Sequence, residues 1–285
     1  MKDFKLLIVS TFVLLVTVIL LSLKISTKLN GYKADKEEIA EVLNFEERIL
    51  NGSELFSFFG GEDEKLGDWN DLRKSAETKY WSAYGYGAGL LFLVLVYMSL
   101  NYFIYQSGVH KNRVSGIIFI FGALSFLFLG LQAPFIEVEA FNDDLSIGAS
   151  FLSKTFEGRT YHLYQNKSIF GVIQLLFLGG NILVGFCVLL LSIIFPLVKL
   201  FASLYVFIKP NTSFAQKSVK IINMLGKWSM ADVFIAGVFL AVFSFSNMNV
   251  GVDTASKTLI GLYFFLIFVV LSIVSGQFLK LVVKE

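Results

Sequence analysis

Six stretches of this chain are apolar for long enough to cross a bilayer: residues 6–23, 81–106, 114–133, 182–207, 229–245 and 257–278. A helix needs about 20 apolar residues to traverse a hydrocarbon core of about 30 Å. Inside lipid no water is available to the peptide groups, so a span must satisfy its own backbone hydrogen bonds as a helix. The expected fold class is therefore an all-α polytopic membrane protein with six transmembrane helices. A mean hydropathy of +0.70 and 31 Phe among 285 residues exclude a soluble one- or two-domain protein.

The first run follows Met1-Lys2-Asp3-Phe4-Lys5 and exceeds the apolar core of a secretory signal, with no small-x-small site after it. It reads as an uncleaved signal anchor. Residues 25–80 are polar. Apolar residues at helical spacing in 35–43 and 45–50 predict one or two amphipathic helices, broken at Asn51-Gly52 and Gly60-Gly61. Glu62-Asp63-Glu64 lacks the alternating ligand spacing of a calcium loop and reads as a solvated turn. In the second run, Gly85 and Gly89 make a small-xxx-small face for helix contact. Residues 135–167 alternate in Phe135-Ile136-Glu137-Val138-Glu139-Ala140 and are strand-like in Thr160-Tyr161-His162-Leu163-Tyr164, predicting a small extracytoplasmic β segment. The run from 168 to 208 divides at Gly179-Gly180-Asn181 into an interfacial helix, 169–178, and a fourth span kinked by Pro196. A lysine-bearing polar loop, 209–227, and a short connector, 246–256, complete the pattern.

Six spans place both termini on one side. Loops after odd-numbered spans hold 19 of the 22 acids, and loops after even-numbered spans are rich in Lys and Arg. By the positive-inside rule both termini are cytoplasmic. The two histidines, His110 and His162, fall on opposite sides and cannot share a metal. One cysteine, Cys187, excludes an internal disulfide and a cysteine zinc ribbon. No HExxH, GxSxG or Walker pattern occurs, so the chain is not read as an enzyme, and no cofactor, metal or nucleic-acid partner is expected.

Two charges sit well inside the apolar runs, Lys199 and Asp232. A charge at bilayer depth costs about 2.5–3.5 kcal/mol on insertion scales, so it usually faces protein or water. Counted from Lys209 and Lys227, Lys199 lies about 15 Å deep and Asp232 about 7 Å deep. One reading is a polar network inside the bundle, with Ser229 and Lys227 at its lower edge. The other has Lys199 snorkelling to the surface while Asp232 caps its helix.

Pro196-x-x-Lys199 and Gly226-Lys227-Trp228-Ser229-Met230-x-Asp232 together resemble the signature of the paraquat-inducible protein A family. The resemblance covers roughly residues 114–281 and divides the chain into an N-terminal hairpin, 1–113, with its helical outer loop 25–80, and a four-helix module, 114–285. It implies a tetraspanin-like four-helix bundle with an outer sheet, in the inner membrane of Gram-negative bacteria. It further implies membrane lipids and a periplasmic mammalian-cell-entry-domain protein as partners in intermembrane lipid transport. Family members often carry zinc ribbons and two modules; this chain has one module and no ribbon, so zinc is not carried over and pairing of two copies would supply the second module. Pro196, Lys199, Gly226, Lys227, Trp228, Ser229, Met230 and Asp232 are carried over as motif positions. Competing readings are a non-transporting scaffold or envelope-stress regulator, and an ion-coupled small-solute transporter.

Overall fold

A computed structural model describes residues 2–46, 66–104, 108–149, 152–210, 212–228, 237 and 252–284. The expected fifth span (229–245), apart from the helical Gly237, the glycine breaks at 51–52 and 60–61 and the acids at 62–64 lie outside the described residues.

Helices α1 (Lys2–Val42) and α2 (Leu66–Ile104) pack along one another as an antiparallel pair. At 1.5 Å per residue each is about 60 Å long, twice what a bilayer needs. The predicted separate helix at 35–43 is thus the outer continuation of the first span. Its mixed charges do not interrupt the helix, because helix hydrogen bonding runs on unchanged from lipid into water while only the side chains change partners. α3 (Gly108–Gln132) ends before Pro134, as read from the sequence.

After α3 come strands β1 (Ile136–Ala149) and β2 (Leu152–Lys167), and then α4 (Ile169–Leu178), capped by Ser168 Oγ, which accepts from the Gly171 amide at 3.1 Å. Gly180, with φ +77°, makes the turn into α5 (Ile182–Leu189). A π-helical turn, Leu190–Ile194, joins α5 to α6 (Phe195–Ile208). Pro196 explains that turn: it has no amide hydrogen to give the preceding turn, and a wider turn accommodates its ring. Then follow α7 (Ser213–Trp228), β3 (Asp253–Thr258) and α8 (Ile260–Lys284).

Four described helical stretches have span length and apolarity: Asn70–Tyr97, Asn112–Gln132, Ile182–Ile208 and Ile260–Val282. The apolar run at 6–23 lies within α1.

Three expectations are corrected. Residues 209–227 are mostly the amphipathic helix α7 rather than a loop: Ala215, Ser218 and Ile222 are buried while Gln216, Lys217 and Lys220 face outward. The described end of the connector before the last span enters a strand; β3 pairs with β1 from Ile136↔Thr258 to Phe141↔Asp253, completing an antiparallel sheet of order β2-β1-β3. Gly85 and Gly89 face away from the bundle, where an added Cβ would meet nothing within 4 Å. The inward face of α2 is one turn-phase away, at Ala83, Gly87, Leu90 and Val94, and Gly87 is where the Phe264 ring sits.

The bundle core is centred on α3 and α8, which run antiparallel with Phe119 stacked on Phe278. At Gly130 a Cβ would come within 2.8 Å of the Phe265 amide nitrogen, so the two backbones approach as only glycine allows. The Gly261 amide donates to the Pro134 carbonyl at 2.9 Å and the Leu259 amide to the Phe135 carbonyl at 3.0 Å, locking the sheet to the adjoining ends of α3 and α8. The outer halves of α1 and α2 lie against this sheet, and the remote ends of α1 and α8 share the opposite side of the bundle.

Candidate functional site

The sheet's alternation is inverted relative to a conventional half-buried strand. In Ile136-Glu137-Val138-Glu139-Ala140 the acids are buried and the apolar residues between them are only partly covered. Residues two apart share a sheet face, so Glu137, Glu139 and Phe141 point together. That face lies under the outer half of α1, whose Tyr32, Lys36, Ile39 and Leu43 recur at helical spacing. β3 supplies Lys257, directly opposite Glu137, and β2 supplies Tyr164, directly opposite Glu139.

Glu137 is fully buried and saturated with donors. Lys257 Nζ stands 2.9 Å and Lys36 Nζ 3.3 Å from its Oε1, and the Tyr32 hydroxyl donates to Oε2 at 3.0 Å. Glu139 faces Lys36 Nζ at 3.9 Å, and Arg159 Nη1 donates to it at 3.2 Å. Arg159 also reaches Asp143 at 3.4 Å and lies over the Phe141 ring, 4.1 Å from its centroid. One helical position away, Asp35 pairs with Lys79 of α2 at 2.7 Å, tying the two long helices together beside the cluster.

Taking a carboxylate out of water costs several kcal/mol, which close cations must offset. Two carboxylates on one face also repel each other, so the pair retains a proton that isolated glutamates would release. Burial, then the hydrogen bond to Glu137 and its negative charge, push Glu139 up to about 7. Burial acts on Glu137 in the same direction, but the hydrogen bond from Glu139 and the charges of Lys36 and Lys257 outweigh it and hold Glu137 down to about 2. Burial, followed by the charge of Glu137, keeps the Tyr32 and Tyr164 phenols far above their ordinary range, so both remain neutral. The cluster is thus a proton-holding ionic joint between the outer helices and the sheet. Among the described residues no group of His, Cys, Asp or Glu is arranged to hold a metal.

The motif residues lie toward the opposite end of the bundle. Pro196 is buried just after the π-turn, and Lys199 follows one turn later, half-buried on α6. Its carbonyl accepts from Ser203 Oγ at 2.8 Å, and among the described residues no carboxylate pairs with its ammonium group. Gly226, Lys227 and Trp228 form the last residues of α7, rather than the end of a loop. Ser229, Met230 and Asp232 lie outside the described residues, and with them the expected contact between Lys199 and Asp232.

Sequence reasoning missed the Glu137–Glu139 cluster. The signal available was an acid pair two apart in a β-alternating string, which specifies a shared face but not which face is buried. Its partners, Lys36, Arg159 and Lys257, are separated in the chain by about 100 residues or more, and only the assembled sheet brings them together.

The family model of paraquat-inducible protein A matches residues 150–281, which include β2, α4 to α7, β3 and α8. The match begins later than the resemblance read from the sequence, so β1 with its two glutamates, and the α1–α2 pair, lie before it. No curated protein and no solved structure matches the chain. Over residues 150–281, the chain is thus similar to the paraquat-inducible protein A family.

Proposed function

We propose that this protein is the inner-membrane subunit of an intermembrane lipid transport system, passing phospholipid to or from a periplasmic mammalian-cell-entry-domain partner. The family match over residues 150–281 carries the proposal. Two features of the fold support it. The span 182–208 is broken by a π-turn, exposes Ile182, Leu183, Val198 and Phe201, and carries Lys199 halfway along. A helix with that surface suits contact with acyl chains, and its lysine suits a phosphate headgroup or a carboxylate such as Asp232. On the other side of the bundle, the sheet and the outer halves of α1 and α2 form a water-facing platform suited to a periplasmic partner. In this reading both termini are cytoplasmic.

The test is purification from native membranes in mild detergent, with mass spectrometry of co-purifying lipids and proteins. Enrichment of phospholipid and of one envelope partner is the expected result; neither being enriched refutes the proposal. Lys199→Met and Asp232→Asn should each abolish lipid transfer while leaving partner capture intact. Retention of full transfer by both variants would instead favour a scaffold.

A further inference from the structure

We propose that Glu137 and Glu139 form a proton-operated latch that sets how firmly the outer half of α1 is held against the β2-β1-β3 sheet. The inference rests on the outer joint alone and is independent of whether the protein moves lipid.

The geometry is that of a clasp with few fastenings. The outer half of α1 meets the sheet through Tyr32 and Lys36 at the carboxylates, through Lys36 over the Tyr164 ring, through Ile39 and Leu43 packed on Phe141 and Tyr161, and through the main-chain bond from the Tyr161 amide to the Leu43 carbonyl, at 2.9 Å. α1 ends at Val42, and just beyond it Phe45 sets its ring 4.9 Å from that of His162 on β2. Inward from Tyr32, by contrast, α1 is held by the continuous bundle core through Leu29, Ile25, Val18 and Leu14. Asp35–Lys79 and the Tyr32–Tyr80 ring contact tie this segment to α2, so the outer halves of the two helices would leave the sheet together.

Every element packed here presents charge or a phenol to the pair. α1 brings Lys36 and Tyr32, β2 brings Arg159 with Tyr161 and Tyr164, and β3 brings Lys257, while α2 contributes Lys79, which pairs with Asp35. With both glutamates ionised, two negative charges on one strand face are enclosed under α1; lifting the helix admits water to both and withdraws Lys36, while Lys257 and Arg159 stay with them on the sheet. With one proton shared between them, the repulsion is gone and the closed joint is fully hydrogen-bonded. Docking is thereby linked to proton uptake.

The sign follows from Glu139. Its proton affinity is raised when enclosed, to about 7, against 4.5 for a solvated glutamate. Over that interval the docked form binds the extra proton, so acid closes the latch and rising pH loosens it. Glu137, held low by its cations, is ionised in both forms throughout this range and does not alter the trend. Between about pH 5.5 and about pH 8 the docking equilibrium should weaken roughly 30-fold, from the difference in proton binding at Glu139.

Hydrogen exchange on the full chain in detergent tests this. The protection factor of the Tyr161 amide, which donates across the joint to the Leu43 carbonyl, corrected for intrinsic exchange at each pH and referenced to amides of α3 and α8, should fall roughly 30-fold from about pH 5.5 to about pH 8. Glu139→Gln should flatten that dependence. Lys257→Met, which removes a cation that favours ionised Glu139, should move the fall to higher pH. A fall of less than about threefold in the native protein, where linkage requires roughly 30-fold, overturns the proposal whether or not either variant folds. So does an unchanged fall in Glu139→Gln.

Discussion

Replacing Glu137 by Gln keeps the shape of the ionic joint and removes one charge. At an effective dielectric of about 20, the attraction lost to Lys36 at 3.3 Å is roughly 5 kcal/mol. Two effects return part of this. The amide no longer carries the desolvation cost of a buried ion. Glu139, without a like-charged neighbour, can ionise in its place and face the same ammonium at 3.9 Å. Lys257 is more than half exposed and can turn into water, so its 2.9 Å contact is left out of the sum. The net loss is about 2–3 kcal/mol, near the low end of what removing one member of a buried ion pair costs. For a chain of this size that lowers the apparent melting temperature by about 5–10 °C. Heating detergent-purified protein and measuring the monomer that survives gel filtration reads the shift. If Glu137→Gln melts within about 2 °C of the parent, or above it, the carboxylate is not held by enclosed cations and the account of the joint is wrong.

Global stability should peak near pH 4.5–5 as far as this pair is concerned. Glu139, raised to about 7, stabilises the fold while protonated and withdraws about 3 kcal/mol as pH climbs from 4.5 through 7. Glu137, lowered to about 2, contributes a similar amount above 4.5 that is lost as pH falls toward 2; thermal melts across this range check both limbs. Gly130→Ala should destabilise by about 1–3 kcal/mol, because its Cβ meets Phe265 backbone, which cannot swing aside as a side chain could. Gly85→Ala and Gly89→Ala, with open space at the added carbon, should leave the melting temperature unchanged or raised. Lys79→Met should cost about 2 kcal/mol by leaving buried Asp35 without its cation, and Asp35→Asn in the same chain should recover part of the loss.

Apolar length reads directly from a chain, because a helix in lipid is compelled by its own peptide groups whatever its neighbours do. For that reason the spans expected at 81–106, 114–133, 182–207 and 257–278 fall on helices (the last beginning at Ile260, after β3, and the first described to Ile104), the break at Gly179-Gly180-Asn181 is where it was expected, and Pro196 disturbs the helix around it. Parts of the first two strands, at 135–140 and 160–164, were legible for a related reason: alternation and composition are local properties of a strand, whereas their full extent, 136–149 and 152–167, was not. The likeness to the paraquat-inducible protein A family over 150–281 was legible too, since Pro-x-x-Lys and the Gly-Lys-Trp-Ser-Met-x-Asp string are contiguous words.

What tertiary structure alone decided is which face of a regular pattern turns inward. Gly85 and Gly89 are spaced for a helix contact, yet the contact falls on Gly87, because the phase of α2 is set by the Phe264 ring on a helix nearly 180 residues later. β3 has only six residues and no alternation of its own; it is a strand because β1 offers it an edge. Glu137 and Glu139 look like solvated charges in the chain, since a carboxylate is enclosed only when cations meet it. The chain carries Lys36, Arg159 and Lys257 too far apart in sequence for any local pattern to announce that they will.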